Sequence, residues 1–171
     1  MENEQLENNE QDVKRPTFLL VLCILTFVNT GFTVLGGLMG MLSGKPSAEE
    51  IKDSKVQMAQ SIDQLEKLNM DYWVDVLKRL DAMTDAMYAN FVAYNGVAVV
   101  VALIGAFAAF LMFQAKKVGF HVYIVYSFLY VIQAYLFISP EIMPAFVIIL
   151  NFIIAGVFVL LYSRNLSWMN K

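Results

Sequence analysis

The most reactive side chains in this sequence are one thiol and one imidazole, Cys23 and His121. A lone cysteine forms neither an intramolecular disulfide nor a metal cluster. The sequence also lacks a His-x-x-x-His pair, a Cys-x-x-Cys pair, a glycine-rich phosphate loop and a Gly-x-Ser-x-Gly elbow. Covalent chemistry would need Cys23 and His121 to act together without any supporting spacing. We therefore predict a non-enzymatic protein with no cofactor and no metal site.

A second set of candidate residues consists of amides and hydroxyls within otherwise apolar stretches. An unpaired amide in hydrocarbon is costly, so such side chains are expected to turn towards protein. Two interpretations stay open: hydrogen bonds that hold helices together, or a polar pocket for a lipid headgroup or a small ligand. The predicted interior polar cluster comprises Asn29, Thr33, Asn95, Tyr126, Tyr130, Gln133 and Asn151. The residues nearest the middle of their stretches could share one hydrogen-bonded layer: Asn29, Tyr126, Tyr130 and Asn151.

These residues belong to stretches long enough to cross a bilayer. A hydrocarbon core needs about 20 helical residues, and 58% of the 171 residues are apolar. Four stretches contain no Asp, Glu, Lys or Arg: residues 17–43, 90–115, 119–138 and 143–162. We predict an all-α fold, an integral membrane four-helix bundle with an extracytoplasmic helical hairpin between the first and second membrane helices.

The hairpin is predicted in the charged segment 44–89. Ser47 and Glu50 form a capping-box pattern that starts a helix. One apolar stripe contains Ile51, Met58, Ile62 and Leu65, and a second contains Trp73, Val76, Leu77, Leu80, Met83 and Met87. The two stripes suit an antiparallel hairpin that stands off the membrane, with the second helix continuing into the second span. The alternative lays residues 47–68 flat on the outer leaflet. Trp73, Leu77 and Leu80 form the candidate partner surface.

Basic residues near the short loops predict the orientation. Lys14 and Arg15 precede the first span, Lys116 and Lys117 separate the second from the third, and Arg164 and Lys171 follow the fourth. The loop around Glu141 has no basic residue. Both termini are therefore expected in the cytoplasm, as an acidic, disordered segment over residues 1–16 and a short tail over 163–171, with segment 44–89 outside.

Residues 114–123 read Gln-Ala-Lys-Lys-Val-Gly-Phe-His-Val-Tyr. This turn resembles the junction between the middle two helices of many small, uncharacterised four-helix bacterial membrane proteins, where a basic pair precedes Gly, an aromatic residue and Tyr. The resemblance implies a location in the bacterial inner membrane, and it implies no mechanism.

Two functions are compatible with this pattern. The first is an accessory or interaction subunit that presents the hairpin to another membrane or extracytoplasmic protein. The alternative is a small channel, or a transporter that binds a ligand or lipid in the polar bundle interior; a filled interior would exclude it. Membrane lipids are expected partners and a homo-oligomer is open. Nucleic acid is not expected, because the net charge is −3 and basic residues are scattered.

Overall fold

The computed structural model describes residues 16–169, and this part of the chain contains helices and no strand. The helices are α1 (Thr17–Ser43), α2 (Ala48–Lys67), α3 (Asp71–Ala89), α4 (Phe91–Phe113), α5 (Lys117–Ile132) and α6 (Ala145–Ser163), with 3₁₀ turns at Gln133–Leu136 and Pro140–Ile142. The predicted all-helical class is confirmed for these residues. The predictions for residues 1–15 and 170–171 lie outside the described range.

Four of the helical segments are long and apolar enough to cross a membrane: Thr17–Ser43, Phe91–Phe113, Lys117–Leu136 and Ala145–Ser163. They coincide with the four predicted stretches, although the third ends as 3₁₀ helix instead of continuing as α-helix to Ile138. Helix α2 and helix α3 join the first of these segments to the second. The end of the molecule that carries them is called here the α2–α3 end, and the opposite end the terminus end.

Helix α4 packs against both α1 and α5, and glycines set how closely the helices approach. A Cβ atom at Gly37 would lie 2.5 Å from a methyl carbon of Val99 on α4. A Cβ atom at Gly119 would lie 2.6 Å from the backbone nitrogen of Met112, at the tight turn between α4 and α5. Ala115, within this turn, adopts φ 64°. The small residues therefore permit backbone contact that larger side chains would prevent.

One stripe of α1 consists of small, hydroxyl and amide residues, a pattern that predicts contact with other helices along its whole length: Thr26, Asn29, Thr30, Thr33, Gly36, Gly37 and Gly40. Gly37 and Gly40 contact α4, whereas nothing lies within 4 Å of a Cβ atom placed on Gly36. Thr26 and Thr30 are buried, but Asn29 is exposed. The prediction that the whole stripe touches protein is wrong at Gly36, which lies beyond the part of the stripe that α4 covers.

Helices α2 and α3 pair in antiparallel order. Lys55, early in α2, donates hydrogen bonds at 2.7 Å to both Asp81 and Asp85, late in α3, while Lys78 pairs with Glu66 at 3.0 Å. The predicted cap is present, since the Ser47 hydroxyl accepts from the Glu50 backbone N–H and the Glu50 carboxylate accepts from the Ser47 N–H. The predicted α2 stripe is half-buried: Ile51, Met58, Ile62 and Leu65.

The pair does not stand off the bundle. The guanidinium of Arg79 donates to the backbone oxygen of Glu141 in the loop between α5 and α6, and Val76 and Met143 are both buried. A projecting hairpin would contact the bundle only near its two attachment points. Helix α3 instead leans across the α2–α3 end because the chain turns at Asn90 (φ −118°, ψ 31°), where a continuous helix was predicted.

Candidate functional site

A cleft with a volume of about 490 Å³ lies between α1, α5 and α6. Its walls come from residues 25–32 of α1, 123–130 of α5 and 154–158 of α6, so the cleft lies near the middle of three candidate spans. Its lining residues are Leu25, Thr26, Val28, Asn29, Phe32, Tyr123, Tyr126, Ser127, Tyr130, Ile154, Ala155 and Phe158.

The floor of the cleft is the ring of Tyr126, which lies against Gly105 of α4. A Cβ atom at Gly105 would be 2.6 Å from Tyr126 Cε2, so only glycine leaves room for the ring in this position. Tyr126 itself is buried and its ring centroid lies 6.1 Å from that of Tyr130. A small residue on α4 therefore determines how deep the cleft is.

The terminus end of the cleft is closed by a contact between α1 and α6. The hydroxyls of Thr26 and Tyr162 share a hydrogen bond of 2.8 Å, and the Tyr162 ring lies 4.5 Å, centroid to centroid, from that of Tyr123. Within α6, Tyr162 is the one buried residue. Helix α6 is thus held at one end, while its other turns leave the cleft only partly covered.

The polar groups of the cleft are neutral. The Asn29 amide lies beside the Tyr126 hydroxyl, and Tyr130 is 36% exposed. Amide and phenol groups both donate and accept hydrogen bonds. None of the described residues that line the cleft is charged, and most of the remaining lining is aliphatic or phenyl. Such a surface suits an apolar molecule that carries a hydroxyl or carbonyl oxygen.

Three members of the predicted interior polar cluster, Asn29, Tyr126 and Tyr130, line the cleft together. Asn151, expected in the same layer, does not. Its amide donates to the Val147 backbone oxygen at 2.9 Å, and it lies one turn beyond Ala155, towards the α2–α3 end. A helical carbonyl therefore satisfies an amide that sequence reasoning assigned to the interior.

The remaining three predicted members, Thr33, Asn95 and Gln133, do not line the cleft. Thr33 donates to the backbone oxygen of Asn29 at 2.9 Å, and Asn95 donates to that of Phe91 at 2.8 Å while lying near Gly40. The buried Oε1 atom of Gln133 has no hydrogen-bond partner among the described residues. Local bonds to the preceding turn thus account for most of these side chains.

The interior polar cluster predicted from the sequence omits Tyr162, which is buried. Ala155, Phe158 and Tyr162 are spaced i, i+3 and i+7, so they share one face of α6. The first two line the cleft and the third closes it. This spacing is the signal in the sequence that could have identified the face of α6 at the cleft. It is a weak signal because the other faces of α6 are equally apolar.

The thiol and the imidazole are in different surroundings. Cys23 is buried and its Sγ atom donates to the Ala109 backbone oxygen at 3.7 Å. His121 is exposed, with Nδ1 3.1 Å from the backbone oxygen of Lys117. Over residues 16–169, no group of three or more His, Cys, Asp or Glu side chains is placed to hold a metal ion.

The predicted partner surface is exposed only in part. The Trp73 side chain is 48% exposed, with its ring 5.4 Å from that of Tyr72. Leu77 and Leu80 are half-buried. Trp73 is therefore the member of this set that a partner could reach directly.

Comparison with known proteins gave no relative: no protein-family model, curated protein or solved structure matches the chain.

Proposed function

We propose that this chain is a non-enzymatic membrane protein that binds a neutral amphipathic lipid in the cleft between α1, α5 and α6. The observation that carries the proposal is a cleft of about 490 Å³ at mid-span, where Asn29, Tyr126 and Tyr130 meet apolar walls. Ligand sites of this size, mostly apolar with a few convergent polar groups, are typical of small-molecule binding. A cleft of this kind favours the ligand-binding alternative over a packed, inert bundle.

The lining also indicates the class of ligand. A charged headgroup at this depth would need a charged partner, and the described lining supplies none. A diacylglycerol, a fatty alcohol or a quinone carries hydroxyl or carbonyl oxygens on an apolar body. Asn29 and Tyr130 are placed to bind such oxygens, while Leu25, Phe32 and Phe158 contact the body.

The proposal includes a placement in the membrane. The four candidate spans form a bundle in the bacterial inner membrane with both termini in the cytoplasm, and the α2–α3 hairpin lies outside. Lys116, Lys117 and Arg164 at the terminus end support this orientation. A cysteine introduced as Lys52→Cys is expected to react with an impermeant maleimide on intact cells. Reaction only after cell lysis would reverse the orientation.

Photo-crosslinking tests the proposed site. The purified protein in nanodiscs is exposed to a diacylglycerol with a diazirine in one acyl chain, and labelled peptides are identified by mass spectrometry. We expect adducts on residues 25–32, 123–130 and 154–158, reduced by excess unlabelled diacylglycerol. Equal labelling around Phe107, which is 55% exposed on α4, or labelling that the competitor leaves unchanged, would contradict the proposal.

The interaction-subunit hypothesis is retained as a second candidate because Trp73 is exposed on α3. A protein partner would dock on the α2–α3 pair from outside the membrane. Mild detergent extraction should then recover a reproducible partner that is lost in the Trp73→Asp variant. A chain that always purifies alone would count against this function.

A further inference from the structure

The turn between α2 and α3 carries a cluster of exposed apolar side chains, called here the apolar tip. Leu68 is 67% exposed, Met70 37%, Tyr72 62% and Trp73 48%. Solvent-exposed clusters of large apolar residues mark surfaces that bind something. The neighbouring charges are largely paired, since Lys67 bonds Asp63 at 2.6 Å and Arg79 bonds Asp75 at 2.7 Å.

The position of the tip indicates what it contacts. Tyr72 and Val76 share a small recess with Met143, Pro144 and Ala145, and Arg79 fixes α3 to the same loop. Ala145 is the first residue of the candidate span α6. Tyr72 therefore lies beside the start of α6 and does not project away from it.

We propose that the apolar tip is an interfacial anchor inserted into the lipid leaflet at the α2–α3 end, beside α6. Tyrosine and tryptophan favour the boundary between headgroups and acyl chains, where the ring contacts hydrocarbon and the polar atom can form hydrogen bonds with headgroups or water. Leu68 and Met70 add apolar area to the same insertion. Tyr72 adjoins the start of α6 through the recess at Met143 and Ala145, and Phe146 and Ile149 in the first turns of that helix are 38% and 58% exposed. Lipid therefore covers the tip as it covers that helix.

The two tryptophans make the anchor measurable, because the chain contains only Trp73 and Trp168. In the Trp168→Phe variant, Trp73 is the sole tryptophan, and excitation at the red edge of the absorption band selects it over the tyrosines. The substitution removes no hydrogen bond of the indole, since the Trp168 N–H has no partner among residues 16–169. In phosphatidylcholine vesicles, we expect blue-shifted emission from Trp73. Lipids brominated near the headgroup should quench it several-fold more than aqueous iodide does.

Matched variants on this background separate insertion from general membrane proximity. Combining Leu68→Ser with Met70→Ser should reduce quenching of Trp73 by brominated lipid. Val56→Ser, on α2 and with Val56 48% exposed, should leave it unchanged. Water-like emission quenched mainly by iodide would overturn the proposal and leave the tip free for a protein partner. Equal effects of the tip and Val56 substitutions would also overturn it.

Discussion

Gly105 has the most constrained position among the residues that shape the cleft. Its hydrogen atoms face the Tyr126 ring, where a methyl group would come within 2.6 to 2.8 Å of three ring carbons. Tyr126 is buried, so the ring cannot move away without displacing the α5 backbone or entering the cleft. The same ring also carries the hydroxyl that lies beside Asn29.

We predict that Gly105→Ala destabilises the protein by about 1 to 3 kcal/mol, as overpacking of a filled site does, and weakens ligand binding because the ring is pushed into the cleft. Reversible unfolding in mixed micelles measures the first effect. Gly156→Ala is the matched control, because a Cβ atom there has nothing within 4 Å. Equal stability of the two variants would show that Tyr126 is not held against α4.

Glu50 offers a test at the start of α2. Hydrogen bonds from the Ser47 backbone and side chain hold the pKa of this carboxyl below its ordinary value. Because the Glu50 pKa is lowered in the folded state, the ionised carboxylate stabilises the start of α2 at neutral pH. This stabilisation is lost as the pH falls through the folded-state pKa. We expect Ser47→Ala to raise the Glu50 pKa in carbon-detected NMR titrations. A Glu50 pKa that does not move would contradict the capping box.

At the scale of elements, Lys55 joins α2 to α3. Burial lowers the pKa of its ammonium, but the hydrogen bonds to Asp81 and Asp85 outweigh burial and raise it. Because the lysine pKa is raised in the folded state, its ion pairs stabilise the pairing of α2 with α3 at pH values below the ordinary lysine pKa. This contribution is lost as the pH rises through the folded-state pKa. Lys55 and Asp81 are about one-third exposed and Asp85 is more than half exposed, so the net contribution of these ion pairs is modest.

We predict that Lys55→Met weakens the α2–α3 contact by about 0.5 to 1 kcal/mol, because it also leaves Asp81 and Asp85 as neighbouring like charges. Faster amide hydrogen exchange in α2 would report this change. Lys52→Met is the control, since Lys52 makes no ion pair within the described residues. Unchanged exchange in both variants would mean that apolar contacts alone hold the pair.

The elements themselves were largely predictable from sequence. The bounds of α1 follow from an uncharged run ended by Gly44, and those of α2 from Ser47 and its partner Glu50. The contacts between elements were less predictable. Periodicity shows which face of a helix avoids lipid, but it does not reveal that Asn95 and Asn151 bond to their own helices. It also gave no signal that Asn90 would redirect α3 across the bundle.

For the whole molecule, the cleft results from the loose attachment of α6. Helix α4 packs closely against α1 and α5, whereas α6 has one buried residue, Tyr162. Almost all the remaining residues of α6 are apolar on every face of the helix. The sequence of α6 therefore does not specify one face that must pack against protein. The sequence therefore predicts four spans but cannot predict that the fourth leaves a gap beside Asn29 and Tyr130.

For the cleft as a whole, we propose that its polar groups bind the oxygen atoms of a neutral lipid. The most direct test is the dissociation constant of a diacylglycerol, measured by native mass spectrometry on wild-type protein, Asn29→Leu and Asn151→Leu. We expect Asn29→Leu to weaken binding by roughly 3- to 10-fold, the effect of one lost hydrogen bond, and Asn151→Leu to leave it unchanged. Equal affinity in all three proteins, or equal loss in both variants, would contradict the claim.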